Sequence, residues 1–264
     1  MGILNVTPDS FSDSGLYADP QAAMAHAHTL VQQGEHIIDI GGESTRPGAQ
    51  EVAAAEELRR TQPVVAALRA AYPQLLISID TRHAAVAEAA LDAGADIVND
   101  ITGLSSPAMR ALCAARPCGI VLMHMQGTPA TMQLAPTYTD VVAEVRDFFA
   151  RRIRLAEQDG IDPARICLDP GIGFGKTTQH NLALISRLES LRLRGLPLLM
   201  ALSRKRFLGE LLSDPAAALR DPLPTVAMSL MAAERGADVH RVHDPLPLRQ
   251  ALLLRHAAAG HSAE

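Results

Sequence analysis

The feature that most restricts what this chain can become is a rhythm. Eight short apolar, β-rich runs recur along it, each followed by a longer Ala- and Leu-rich stretch with apolar residues three and four apart. The runs are GILNV (2–6), HIIDI (36–40), LLISID (75–80), DIVND (96–100), GIVLMH (119–124), RICLD (165–169), LPLLMAL (196–202) and DVHRVH (238–243). Most are continuous rather than alternating in hydrophobicity, which is the pattern of parallel strands buried on both faces. The stretches between them carry helix punctuation. AAMAHAHTLVQQG (22–34) and VAEAALDAG (86–94) end on Gly34 and Gly94, where a left-handed C-cap is expected, and Ser106-Pro107 and Asp162-Pro163 open a turn or a first helical turn. No linker rich in Gly, Ser or Pro interrupts the series. Eight such alternations predict an α/β fold, a single (β/α)8 TIM barrel with residues 1–264 as one domain; a doubly wound open sheet is the alternative.

Composition excludes several classes of function. The net charge of −5 is spread without a basic block, so no nucleic-acid partner is expected. No apolar run approaches the roughly 18 residues that cross a bilayer, and the start MGILNVTPDS has neither the cationic end nor the apolar stretch of a signal peptide, so no membrane association is expected. Cys113, Cys118 and Cys167 form no CxxC pair and read as small hydrophobes in a reducing cytoplasm. With no Trp and only 3% aromatic residues, the core has to be built from Ala, Leu, Ile and Val.

Chemistry enters where polar residues meet strand ends. Asn5, Asp39, Asp80, Asn99 with Asp100, His124, Asp169, Ser203, and Arg241 with His243 close the eight runs. One Asp at such a junction is more often a helix cap than a ligand contact. A polar residue at all eight marks the C-terminal face of a barrel, where the active sites of this fold sit. Three loops add to it. NVTPDSFSDSG (5–15) is rich in Ser and Asp, and GGESTRPG (41–48) pairs glycines with Arg46. DPGIGFGKT (169–177) imitates a nucleotide-binding P-loop but has Pro170 where that motif needs Gly, so it reads as a glycine-rich, ligand-facing turn. The cations Arg46, Lys205, Arg241 and His243 point to a phosphate or diphosphate site. Asp80, Asn99 and Asp169 point to a pocket for a heterocycle with several N–H donors. Metal-site pairs such as HExxH and the GxSxG nucleophile elbow are missing from the sequence.

The segments LNVTPDSFSDSG, IDIGGESTRPGA, ISIDT, IVNDITG, LMHMQGTP, LDPGIGFGKT, SRKRFLG and RVHD occur in this order, one per strand end. Together they resemble the dihydropteroate synthase family from residue 2 to about residue 244. The resemblance implies a pterin-binding TIM barrel that joins 4-aminobenzoate to 7,8-dihydropterin-6-ylmethyl diphosphate with Mg²⁺, as a cytoplasmic homodimer. It implies that Asn5 helps hold the metal on the diphosphate and that Asp80, Asn99, Asp169 and Lys205 surround the pterin. It further implies that Arg46, Arg241 and His243 hold the diphosphate, with Thr45 beside the reacting end, and that 4-aminobenzoate lies near Thr45, Pro47, Phe174, Ser203 and Lys205. Asp80, Arg46 and Lys205 are the expected catalytic residues. Two points depart from the family pattern. Ala201 stands where many relatives have Gly, adding a methyl beside the pterin pocket. The chain also begins at its first strand, where relatives carry a short segment closing the bottom of the barrel, so either the start lies further upstream or that face is closed in another way. Two other readings fit parts of this pattern: a methyltetrahydrofolate–corrinoid methyltransferase and a non-catalytic pterin-binding homologue. The first has no use for the cations, and the second would be expected to have lost Asn5, Thr45 or Arg46, all of which are present.

Overall fold

A computed structural model describes residues 1–7, 20–44 and 51–260. Eight parallel strands alternate with helices in chain order: β1 (Gly2–Asn5), α1 (Pro20–Gln32), β2 (Ile37–Gly41), α2 (Ala54–Ala71), β3 (Leu76–Asp80), α3 (Ala84–Asp92), β4 (Ile97–Asp100), α4 (Pro107–Ala115), β5 (Gly119–Met123), α5 (Val141–Gln158), β6 (Ile166–Asp169) and α6 (Thr178–Ser186). The series ends with β7 (Leu199–Met200), the short α7 (Arg206–Leu211) and α8 (Ala217–Arg220), α9 (Leu223–Glu234), β8 (Val239–His240) and α10 (Pro245–Ala258). Strands β1 to β6 form one parallel sheet in sequence order, and β7 pairs with β8.

Two seams join these sheets into a closed barrel. Leu168 bridges to Leu198, and Gly2 bridges to Val242. Ile3 donates to the Val242 carbonyl at 2.9 Å, Val242 to the Met1 carbonyl at 3.0 Å, and Leu168 to the Pro197 carbonyl at 2.8 Å. The predicted TIM barrel is therefore the observed fold. Its last two strands are much shorter than the runs 196–202 and 238–243, because the chain leaves the ladder early. Arg204 takes a left-handed φ of 56°, and just before it Ser203 turns toward the segment after β8.

The sequence punctuation works as expected. Ser106 accepts a hydrogen bond from the Met109 amide with Pro107 at the first helical position, and Asp162 caps a single 3-10 turn at Pro163–Arg165. Gly94 adopts φ +109°, and a side chain there would press within 2.8 Å of Arg69, whose guanidinium caps the same turn through the Gly94 carbonyl. Small residues set the spacing between layers: Ala23 and Ala27 of α1 and Ala87 and Ala90 of α3 are fully buried, so the helices approach the strands closely. Phe149 on α5 is the largest fully buried side chain. At the N-terminal end of the barrel, Met1, Val121, Leu199 and Ala201 form a separate apolar cluster with Ile37, Ile97, Cys167 and Val239 around it. Ala201 thus packs into the lower layer of the barrel interior.

Phe149→Ala removes a ring from a site with no solvent access, and the expected loss is about 3–5 kcal/mol of unfolding free energy. Urea unfolding followed by circular dichroism measures it; a loss below about 1 kcal/mol would mean that the helix layer collapses around the gap.

Candidate active site

Register places the site before any side chain is considered. Asn5 pairs with Gly41, Gly41 with Asp80, and Asp80 with Asn99, so four neighbouring strands present one row at their C-terminal ends. Gly41 is the gap in that row. A Cβ there would lie 3.7 Å from Asn5 Oδ1 and 3.8 Å from Asp80 Oδ2, so these two oxygens flank an open backbone position.

The centre of the site is an ion-pair network spanning the barrel. Arg241, which follows β8, donates from Nε to Asp39 at 2.6 Å and from Nη2 to Asp80 at 2.7 Å. Asn99 donates from Nδ2 to the same Asp39 oxygen at 3.0 Å. Asp39 is fully buried, and its other oxygen has no hydrogen-bond partner. Two carboxylates share one guanidinium here, so the network keeps a net negative charge when all three groups are ionised. Burial is the main cause that pushes the Asp80 carboxyl up to about 7; Asp39 adds to it, and Arg241 opposes it. Asp39 is neither a helix cap nor a surface group but the anchor of Arg241. Asp100 is no helix cap either, since Ser106 caps the next helix; it closes the turn after β4 by accepting from the Thr102 and Leu104 amides and the Thr102 hydroxyl.

The opposite wall comes from β5, β6 and β7. Asp169 is buried and accepts from the Gly171 amide at 2.7 Å, and burial raises its pKa. The loop beyond it lies tightly on the end of β5. A Cβ on Gly171, at φ +66°, would fall 1.9 Å from the His124 carbonyl oxygen, an approach only glycine permits. Lys176 fastens this loop. Its buried ammonium donates to His124 Nδ1 and to the Phe174 carbonyl, both at 2.9 Å. Burial lowers the Lys176 pKa to about 7, and burial, with the Lys176 charge second, holds the His124 imidazole down at about 2, so His124 stays a neutral acceptor. The Phe174 ring then lies under Lys205, whose Nζ is 4.4 Å from the ring centroid. Burial lowers the Lys205 pKa to about 8, with Asp169 opposing that shift. Ser203 and His243 join the ends of β7 and β8, the Ser203 hydroxyl lying 2.9 Å from His243 Nδ1.

The structure therefore brings Asn5, Asp80, Asn99, Asp169, Phe174, Ser203, Lys205, Arg241 and His243 to the same face of the barrel. Thr45, Arg46 and Pro47 lie outside the described residues, as does most of the loop 5–15. Arg241 is paired with both Asp39 and Asp80 across the mouth of the barrel. Sequence reasoning placed Asp39 among the strand-end residues without giving it a role, and it did not single out Lys176. Asp39 carried a signal, a carboxylate inside the apolar run HIIDI. Lys176 carried none, since a glycine-rich, ligand-facing turn does not reveal that its ammonium is buried against His124.

These features, acids and an amide on one wall and a lysine over an aromatic ring on the other, at the mouth of a closed barrel, define a site for a polar, planar ligand. A family model described as pterin binding enzyme matches residues 1–243. The dihydropteroate synthase of Synechocystis sp. is 48% identical over 249 residues, covering 92% of this chain and 84% of that protein. Among solved structures, Xanthomonas albilineans dihydropteroate synthase with 4-aminobenzoic acid superposes with a TM-score of 0.91 at 45% identity, over 99% of this chain and 93% of that one. The same enzyme in complex with 7,8-dihydropteroate gives 0.88 at 42% identity, over 99% and 94%. The chain belongs to the dihydropteroate synthase family of pterin-binding enzymes.

Arg241→Met leaves Asp39 and Asp80 buried without their counter-charge, and unfolding free energy is expected to fall by about 3–5 kcal/mol, with Asp39→Asn in the same chain restoring part of it. Asp80 supplies a pH test. Its carboxyl sits at about 7 in the folded chain against an ordinary 3.8, so its contribution to stability is complete below pH 4 and is lost as pH rises through 7. Unfolding free energy measured across that window should decline less steeply in Asp80→Asn; an unchanged slope would show that Asp80 ionises normally.

Proposed function

We propose that the protein is a dihydropteroate synthase working as one pterin-binding domain, which condenses 7,8-dihydropterin-6-ylmethyl diphosphate with 4-aminobenzoate to give 7,8-dihydropteroate and diphosphate. The observation that carries this reading is the row Asn5–Gly41–Asp80–Asn99 facing Asp169 and Lys205 across the barrel mouth, in a chain of this family. Acids and an amide suit the N–H-rich edge of a pterin. A carboxylate accepting such bonds contributes about 1.5–3 kcal/mol for each one.

In this reading the methylene carbon loses diphosphate together with the electron pair of its C–O bond. The cation left behind delocalises into the electron-rich reduced ring. Asp80, ionised and desolvated, stabilises that charge, and Asp39 and Arg241 hold Asp80 in place. The aniline nitrogen of 4-aminobenzoate, set between Phe174, Lys205 and Ser203, attacks the carbon and releases its proton to solvent. No covalent enzyme intermediate is needed. His243 and Arg241, with Arg46 and Thr45 by the family resemblance, form the diphosphate side, and Pro47 lies beside 4-aminobenzoate by the same resemblance. Asn5 would hold Mg²⁺ through Oδ1. The donor set fits: a hard cation that keeps most of its ligands as diphosphate oxygens and water needs few from the protein, and Asn5 Oδ1 lies beside the open Gly41 position. Bound there, Mg²⁺ would neutralise charge on the departing diphosphate.

We further infer a cytoplasmic homodimer with no nucleic-acid partner. Among the described residues, no helix is long and apolar enough to cross a membrane. Leu223 and Met231 on α9 and Leu253 and Leu254 on α10 are exposed apolar side chains, which supports self-association.

The deciding experiment is diphosphate release measured with both substrates, with each alone, and with Mg²⁺ removed by chelator. Release is expected only with both substrates and the metal; release with the pterin alone, or none at all, would overturn the assignment. Asp80→Asn is expected to lower turnover by orders of magnitude with the far-ultraviolet spectrum unchanged, and near-normal turnover would remove Asp80 from this role. The ionised Asp80 and the protonated Lys205 also fix a pH profile. kcat/KM should rise through about pH 7 and fall above about pH 8, and Lys205→Met should abolish the alkaline limb of whatever activity remains.

A further inference from the structure

Beside this site lies a second polar cluster that the condensation does not use. Glu57, in the first turn of α2, is fully buried, and neither of its carboxylate oxygens makes a close hydrogen bond, the Thr81 side chain being the one hydrogen-bonding group that acts on it. His83, the residue preceding α3, has a buried Nε2 that is also without a partner. The two face each other, with His83 Nε2 3.9 Å from the nearer Glu57 oxygen, too far for a hydrogen bond. Glu43, two residues past β2, brings a third ligand atom, and one ligand atom from each of the three residues lies within 4.8 Å of the others. Glu43 is held in place. The Val52 amide donates to Oε1 at 2.9 Å, and Arg82 donates to both oxygens at 3.1 Å.

A fully buried carboxylate with no close hydrogen bond, facing an imidazole nitrogen with none, is an arrangement that folds avoid unless something fills the gap. A shared proton would draw the pair into contact, which 3.9 Å is not. A tetrahedral zinc ion with bonds of about 2.0–2.1 Å separates its ligand atoms by about 3.4 Å, so these atoms, 3.9 Å apart for Glu57 and His83 and within 4.8 Å throughout, would draw inward around it. One imidazole with two carboxylates favours a first-row transition metal over Mg²⁺ or Ca²⁺, which prefer all-oxygen shells. Arg82 pairs Glu51 as well as Glu43, so with both carboxylate ligands ionised the cluster of Glu43, Glu57, His83, Arg82 and Glu51 carries a net charge of about −2 before metal enters, which a dication would balance. The His83 side chain is 26% exposed, which gives the ion a route in and water a place in the fourth position.

We propose that Glu43, Glu57 and His83 form a zinc site, distinct from the substrate-borne Mg²⁺, that ties the end of β2, the start of α2 and the start of α3 together. The site stands independently of the condensation activity, since none of its three residues belongs to the substrate pocket described above.

The test uses the full chain, freed of metal by chelator dialysis and titrated with Zn²⁺ in excess Mg²⁺ against a chromophoric competitor. One equivalent is expected to bind and to raise the thermal midpoint. His83→Ala and Glu57→Gln should each weaken binding by more than about 100-fold, because even the loss of an outer-shell partner costs roughly 10–100-fold. Asn5→Ala should leave the zinc affinity unchanged. Should Glu57→Gln fail to fold, His83→Ala at the partly exposed edge decides alone, and Co²⁺ substitution gives a second readout through the absorption bands of a tetrahedral ion. No bound equivalent at micromolar Zn²⁺, or an equivalent that His83→Ala does not disturb, would overturn the site.

Discussion

Arg241 holds the functional end of the barrel together. It arrives after the last strand and grips carboxylates from the second and third, Asp39 and Asp80, across the interior. Removing two carboxylates and a guanidinium from water is costly, and the return depends on geometry: bonds of 2.6 and 2.7 Å, with Asn99 satisfying a further lone pair of Asp39. The network leaves one oxygen of Asp39 bare and the Asp80 carboxyl displaced upward. Such a residue of strain and unbalanced charge is what an electron-deficient ligand can relieve. Structural and chemical roles are therefore carried by the same atoms, and neither can be altered alone.

The second wall has a different logic. It is built from backbone approach rather than charge. Gly171 lets the loop after β6 touch the end of β5, and Lys176 fixes that contact by donating to His124 and to the Phe174 carbonyl. Phe174 in turn gives Lys205 an aromatic face to rest on. The chain of positions from a buried lysine to a half-buried ring to a second lysine sets the width of the mouth.

Much of this was legible in the sequence because barrels write themselves as repetition. Eight apolar runs and their helical spacers determine the fold, and the rule that active sites sit at strand C-termini turns strand ends into site residues. Asn5, Asp80, Asn99, Asp169, Ser203 and Lys205 were accessible in this way. What was hidden depends on pairings distant in sequence. Asp39 and Arg241 are 202 residues apart, and nothing local to either announces the other. The length of β7 and β8 was hidden for a related reason. Apolar runs report burial, and residues flanking those strands are buried by the barrel whether or not they join its ladder. Lys176 had no readable role because a glycine-rich, ligand-facing turn does not reveal where its lysine points. The cluster of Glu43, Glu57 and His83 had no sequence signal at all, since its members come from three separate elements.

The position of Arg241 in the chain has a consequence for synthesis. The seam that closes the barrel, Ile3 to Val242, lies one residue from the guanidinium that pins Asp39 and Asp80. On a ribosome the first six strands emerge long before either exists, and until the final βα unit is released the nascent chain carries two interior carboxylates with no cation to meet them. Burying those acids before Arg241 arrives would cost several kcal/mol for each charge, so the interior of the unfinished sheet favours water until then. Closure and assembly of the mouth then occur as a single event at the end of translation, so a chain truncated in its last strand loses its shape and its site together.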